Sequence, residues 1–157
     1  MRQVKGVKVT RLKVKSLKCL LVFLSTFYFL PSVRLHSQDV NQLVSEGNKL
    51  IKEKKYDEAV KVLLEAKKID EKSPLPDVAF GMMFLRKNSL QEAEMHLKAA
   101  EKIAPELCGV QFTLALLYEK KDEKENAINY WSKLLRNPDF RDKDIAKKHL
   151  RFLGDEK

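Results

Sequence analysis

The chain has 157 residues, and its 31 lysines and arginines exceed its 22 aspartates and glutamates, which gives a formal net charge of +9. Eight of these basic residues and none of the acids lie in residues 1–37, so residues 38–157 carry 23 bases against 22 acids. Because nucleic-acid affinity depends on a concentrated positive surface, this balance argues against a nucleic-acid partner. Cys19 lies in the basic segment and Cys108 outside it, so residues 38–157 alone cannot form an intramolecular disulfide.

Residues 1–37 have the order of a secretory signal peptide. Residues 1–18 hold seven basic residues and no acid, residues 19–30 are the apolar run CLLVFLSTFYFL, and Pro31 ends that run before the small Ser37. A helix of 12 residues is about 18 Å long, which is shorter than the roughly 30 Å bilayer core. The sequence therefore predicts a cleaved signal peptide and an exported protein, periplasmic or secreted. The alternative is an N-terminal membrane anchor formed by uncleaved residues 19–30; the compact apolar block disfavours a mitochondrial presequence.

After residue 40 the same residue types return every 34 positions, which predicts stacked repeats with one continuous core. In the middle unit, apolar residues recur every three or four positions on both sides of a polar break at Lys87-Asn88-Ser89, so two amphipathic helices are joined by a turn. Ser89 and Glu92 have the spacing of a capping box, and Pro105 ends the second helix. Small residues are expected where helices cross, and Trp131 is expected in the core. The recurring sets are Gly47, Gly81 and Ala115; Leu50, Phe84 and Tyr118; Ala59, Ala93 and Ala127; and Leu63, Leu97 and Trp131.

The repeated unit resembles the tetratricopeptide repeat (TPR), whose loose pattern is W-x2-L-G-x2-Y, then A-x3-F, then P. The resemblance implies an all-α fold, a right-handed α-solenoid of three helix-turn-helix repeats over residues 40–73, 74–107 and 108–140. The position where an aromatic usually opens the first helix is degenerate. The residues that carry the resemblance in the middle unit are Phe80, Gly81, Phe84, Ala93, Leu97 and Pro105, and the degenerate position holds Leu43, Asp77 and Gln111.

Residues 142–153 are predicted to form a last helix that caps the third unit. A terminal repeat needs its exposed apolar face covered, which favours capping. The alternative is a basic amphipathic helix on a membrane surface, but acids within and after the helix dilute its charge. The predicted apolar stripe contains Ile145, Ala146, His149, Leu150 and Leu153.

No arrangement of residues in the sequence indicates catalysis, a cofactor or a metal ion. Outside residues 1–37 only two histidines remain, neither with a second ligand at metal-binding spacing, and the glycines form no phosphate loop. His96 is expected to pair with Glu92 on the surface, one turn away, and Cys108 to be a small buried apolar side chain. We therefore predict that the protein is not an enzyme and has no cofactor.

The resemblance also implies that the first helices of successive units line a concave groove, in which such proteins usually hold a peptide or a partner's helix. Residues off the packing face of these helices form a mostly apolar stripe that the fold would leave exposed. Asn48 and Arg86 fit parts of the set with which some relatives grip a terminal carboxylate, whereas Val44 and Val78 do not. We predict that this groove holds an apolar peptide or amphipathic helix of a partner protein. The predicted groove residues are Val44, Asn48, Ile51, Val78, Met82, Leu85, Arg86, Phe112, Leu116 and Glu119.

The alternative function is a membrane-anchored or self-associating adaptor whose groove is covered within its own assembly. The cover would be the last helix, the N-terminal segment or a second copy in a homo-oligomer. Membrane association is expected only if residues 19–30 remain on the chain.

Overall fold

The computed structural model describes residues 39–155, so the predicted signal peptide or anchor lies outside the described residues. The described part contains seven helices joined by short turns, and it contains no strand. The helices are α1 (residues 39–52), α2 (Tyr56–Ile69), α3 (Leu75–Arg86), α4 (Leu90–Ile103), α5 (Cys108–Lys120), α6 (Lys124–Arg136) and α7 (Lys143–Asp155).

Three helix-turn-helix units, α1–α2, α3–α4 and α5–α6, follow one another, and α7 packs against α6. The predicted all-α solenoid is therefore confirmed. Each second helix buries one stripe at i, i+4 and i+7, and the stripes occupy equivalent positions in the three units. Trp131 is fully buried in the stripe of α6, so it has the core role that was predicted. The stripe residues are Ala59, Leu63 and Ala66 in α2, Ala93, Leu97 and Ala100 in α4, and Ala127, Trp131 and Leu134 in α6.

In the first two units, glycine is needed where the first helix crosses the second. A Cβ atom at Gly81 would lie 2.5 Å from Leu97 Cγ, and one at Gly47 would lie 2.6 Å from Leu63 Cδ2. Both distances are below van der Waals contact, so a larger residue would push the helices of the unit apart. The small residues at this point of the repeat therefore set the distance between paired helices.

The 34-residue period extends to the backbone of the turn inside each unit. Lys54, Asn88 and Asp122 have φ angles of 62°, 62° and 61°, in the left-handed region. The next residue in each turn donates its amide hydrogen to a carbonyl five residues earlier, at 2.9 Å in all three units. This is the 6→1 bond of a Schellman motif, which ends α1, α3 and α5 in the same way.

The predicted start of the second helix at Ser89 is correct, but the predicted capping box is wrong. Ser89 is the N-cap of α4, and its side chain makes no capping hydrogen bond. Its backbone N–H already donates to the carbonyl of Phe84 at 2.9 Å. The Schellman bond thus uses the Ser89 N–H, from which the Glu92 side chain would accept a hydrogen bond in a capping box.

His96 does not pair with Glu92, as the sequence suggested. Its Nδ1 lies 2.8 Å from Oδ1 of Asp77, and its ring stacks on Phe80 and Phe84 at centroid distances of 4.8 Å and 5.5 Å. Asp77 is buried, and both of its oxygens also accept hydrogen bonds from Lys67 Nζ at 2.8 Å. Burial would raise the pKa of Asp77, but the hydrogen bonds from His96 and Lys67 outweigh burial and lower this pKa below its ordinary value.

The last helix, α7, packs its Ala146 and Leu153 into the core of the third unit. Ile145 was predicted on the same stripe, but its side chain is 41% exposed. Lys143, at the start of α7, donates through Nζ to the carbonyls of Leu134, Leu135 and Asn137, at or beyond the end of α6. These bonds satisfy carbonyl groups that the end of α6 leaves without helical partners.

Between residues 39 and 155, no helix is both long enough and apolar enough to cross a bilayer. Within the same residues, no group of three or more histidine, cysteine or acidic side chains is placed to hold a metal ion.

Candidate partner-binding groove

The first helices α1, α3 and α5 line two adjacent cavities, which we call together the groove. One cavity of about 560 Å³ lies between α3, α5 and α7, and the other, of about 530 Å³, lies between α1, α3 and α5. Met82 and Arg86 line both, so the two cavities are neighbours. All ten residues predicted from the sequence lie on this surface. The first cavity contains Met82, Leu85, Arg86, Leu116 and Glu119, and the second contains Val44, Asn48, Ile51, Val78, Met82, Arg86 and Phe112.

The predicted stripe was expected to be exposed, and this expectation is wrong for three of its members. Val44, Ile51 and Leu85 are buried, because they also contact the core clusters beneath the first helices. Of the predicted apolar residues, those that remain partly exposed belong to α3 and α5. They are Val78, Met82, Phe112 and Leu116.

Glu119 was predicted to face a partner, but neighbouring side chains already hold its carboxylate. Trp131 Nε1 donates to Glu119 Oε1 at 2.6 Å, and His149 Nδ1 lies 2.7 Å from the same oxygen. His149, on α7, stacks on the Trp131 ring at a centroid distance of 4.2 Å. A buried indole N–H requires an acceptor, which explains an acid at the position that Ile51 and Leu85 occupy in the other units.

Sequence reasoning missed several residues that line the groove. Phe152 of α7 is 65% exposed and borders the first cavity, and Phe140 lines the second, 6.3 Å from the ring of Phe112. No periodic signal marks these two rings, because the position 34 residues before Phe140 holds Glu106 and because Phe152 belongs to α7, beyond the third unit. Lys52 and Lys120 also line the groove, and their 34-residue spacing from Arg86 was a signal that could have revealed them.

Cys108 lies at the start of α5 and lines the second cavity. The sequence suggested a buried side chain, and the structure shows a partly buried one. Burial, and to a lesser extent the nearby negative charge of Asp139, raises the pKa of its thiol. A raised pKa keeps the sulfur in the thiol form, which is a weak nucleophile. The described part of the groove offers apolar surface with charged side chains at its edges. Among the residues that line it, no nucleophile lies beside a general base.

Comparison with known proteins supports the fold but gives no close relative. No protein-family model matches the chain, and no curated protein matches it. The structure is similar to the first TPR of Spaghetti (RPAP3), solved bound to the HSP90 peptide SRMEEVD, with a TM-score of 0.67 and 20% identity over 75% of this chain and 94% of that one. It is also similar to the TPR domain of Arabidopsis OM64, with a TM-score of 0.62 and 19% identity over 74% of this chain and 98% of that one.

The repeated helix pairs and these likenesses define the class of the molecule as an α-solenoid of helix-turn-helix repeats. In particular, the described part of the chain has the tetratricopeptide-repeat fold, as the sequence pattern implied.

Proposed function

We propose that this protein is a non-enzymatic scaffold that holds an apolar peptide or amphipathic helix of a partner protein in the groove. The observation that carries the proposal is the apolar surface that Val78, Met82, Phe112 and Leu116 leave partly exposed on two neighbouring first helices. Apolar surface in a concave site is where partner proteins commonly bind. The Spaghetti repeat was solved with a peptide, which supports a peptide or protein ligand.

The chemistry of the groove favours an apolar ligand over a carboxylate grip. Val44 and Val78 occupy places where basic or polar side chains would be needed for such a grip. Met82 contributes a flexible thioether side chain that adapts to the shape of an apolar ligand.

We further propose that the scaffold acts in the cell envelope or the secreted space. This setting rests on the basic and apolar order of residues 1–37. Intact-mass measurement on protein from its native cell tests it. A mass that begins near Gln38 would support export, and a mass that includes residues 19–30 would indicate a membrane-anchored adaptor instead.

The groove itself is tested by placing charge on its apolar surface. The double variant Met82→Glu/Leu116→Glu is compared with Met95→Glu/Leu64→Glu, which makes the same changes at side chains that are 63% and 47% exposed and line neither cavity. We expect the groove variant to lose, in affinity capture from the native envelope, proteins that the wild type and the control variant retain. Identical captured proteins for all three would contradict the proposal.

Two further measurements keep the outcome interpretable. Circular dichroism must show that both double variants unfold at the temperature of the wild type. Light scattering must show whether the groove variant alone changes the mass of the particle in solution. A wild-type dimer that the groove variant dissociates would identify a second copy of this chain as the occupant, in place of a different protein.

A further inference from the structure

A row of basic side chains follows one edge of the groove. Lys52, Arg86 and Lys120 are the last residues of α1, α3 and α5, are 34 positions apart and are all exposed. Each lines at least one of the two cavities, and Arg86 lines both. The repeat therefore places one cation at the same point of each unit, beside the apolar surface formed by Val78, Met82, Phe112 and Leu116.

This basic row has no acidic partner within the described residues. The side chains of Lys52 and Arg86 make no hydrogen bond or ion pair there, and Lys120 Nζ reaches only the amide oxygen of Asn88, at 3.3 Å. Exposed cations that the protein leaves unpaired are free to meet an anionic group on a ligand.

Three acids also line the two cavities, and none is paired with the row. The Glu119 carboxylate is held by Trp131 and His149. Asp122 lies in the turn after α5, and Asp142 lies before α7. The acids do not recur with the repeat, so the regular charge pattern along the groove is positive.

We propose, on the basis of the function proposed above, that the occupant of the groove is an amphipathic helix of a partner protein with acidic residues two helical turns apart along one edge. Packed helices lie roughly 8–10 Å apart, so the cations at the ends of successive first helices recur at about that interval. Seven residues of a helix rise about 10.5 Å and return to nearly the same face. Acids at i, i+7 and i+14 would therefore meet the row while the apolar face of the partner lies on the groove.

The helix dipole is a second reason for basic residues at these positions. A second set of basic residues in the chain serves as a control for this dipole effect. Cations at a helix C-terminus interact favourably with the helix dipole. Lys68, Lys102 and Arg136 are also 34 positions apart, lie in the last turns of α2, α4 and α6, are exposed, and line neither cavity. Reversing the charges of either set has the same effect on the helix dipoles, but only the basic row at the groove would contact the partner.

The test uses three synthetic peptides of about 18 residues, five helical turns, all amidated at the C-terminus so that no terminal carboxylate contributes. They share one leucine stripe and carry glutamate, glutamine or lysine at i, i+7 and i+14. Fluorescence anisotropy measures their affinity for the full 157-residue chain. The same titrations are made with Lys52→Glu/Arg86→Glu/Lys120→Glu and with the control Lys68→Glu/Lys102→Glu/Arg136→Glu.

We expect the glutamate peptide to bind the wild type and the control about tenfold or more tightly than it binds the groove-row variant, and added salt should reduce this difference. The lysine peptide should show the opposite preference. Equal affinities of all three peptides, with binding still lost in Met82→Glu/Leu116→Glu, would overturn this inference and leave the proposed function standing. Failure of every peptide to bind the wild type would overturn both.

Discussion

The two junctions between successive repeats carry opposite charges at one equivalent position, Lys67 in the first and Glu101 in the second. At the first junction, Lys67 of α2 contacts Asp77 of α3, which also contacts His96 of α4. At the second, the position 34 residues after Lys67 holds Glu101, which accepts a hydrogen bond from Tyr130 at 2.6 Å and forms an ion pair with Lys98 at 2.9 Å. The second helix of the preceding unit thus carries a cation at the first junction (α2) and an anion at the second (α4).

The aromatic contacts inside the second and third units correspond closely. His96 stacks on Phe84 at 5.5 Å with an interplanar angle of 10°, and 34 residues later Tyr130 stacks on Tyr118 at 5.5 Å with an angle of 14°. The stacking geometry is therefore common to both units, while the polar ends of the rings differ.

The largest difference between the junctions should appear when their acids are removed. The Asp77 side chain is 3% exposed and that of Glu101 is 22% exposed. We expect Asp77→Ala to lower the free energy of unfolding by about 2–4 kcal/mol, because His96 and Lys67 lose a buried charged acceptor. Glu101→Ala should lower it by only about 1 kcal/mol, since Lys98 and Tyr130 can turn to water. Urea unfolding followed by circular dichroism measures both.

Glu65→Ala provides the matched control for these two variants. Glu65 is an exposed carboxylate on α2 without a partner among the described residues, so its removal should change the free energy of unfolding by less than about 0.5 kcal/mol. If Asp77→Ala and Glu101→Ala cost the same, the first junction does not depend on its buried charge and the comparison is wrong.

A smaller effect is expected in the dependence of stability on pH. Hydrogen bonds from His96 and Lys67 outweigh burial and lower the pKa of Asp77, and bonds from Tyr130 and Lys98 do the same for Glu101. A carboxyl whose pKa is lower in the folded than in the unfolded chain stabilises the fold above its ordinary pKa, and this contribution is lost as pH falls through the folded pKa. Stability should therefore decline from about pH 5 downward.

Neutral variants separate the two acids in that decline. Asp77→Asn and Glu101→Gln should each make the acid decline of the urea midpoint shallower than in the wild type, with Glu65→Gln as the unchanged control. Equal slopes for all four proteins would mean that neither junction contributes to acid sensitivity.

Much of this architecture follows from spacing alone, and the exceptions have physical causes. The positions of Gly81, Ala93 and Leu97 predict helix pairs because each residue packs within its own unit, where sequence distance fixes the geometry. The repeat pattern did not reveal the role of Asp77, because its partners Lys67 and His96 lie on two other helices. Contacts between units depend on how helices cross, which a single unit does not specify.

The groove shows the same limit. Its ten predicted residues do lie together, because the first helices are repeated in register. Their exposure was not predictable from the face they occupy, since Ile51 and Leu85 are buried by neighbouring elements. Phe152 was missed because it belongs to α7, which has no counterpart in the repeat.

The smallest expected effect concerns the turn, where the first unit departs from the other two. Asn88 and Asp122 suit the left-handed conformation because short polar side chains tolerate it, whereas Lys54 at the equivalent position does not. We expect Lys54→Asn to raise the free energy of unfolding by about 0.5–1 kcal/mol and Asn88→Lys to lower it by a similar amount. Lys54→Gln removes the same charge without favouring positive φ, so it should leave stability unchanged. If Lys54→Asn is no more stable than Lys54→Gln in urea, charge rather than backbone strain distinguishes the first turn.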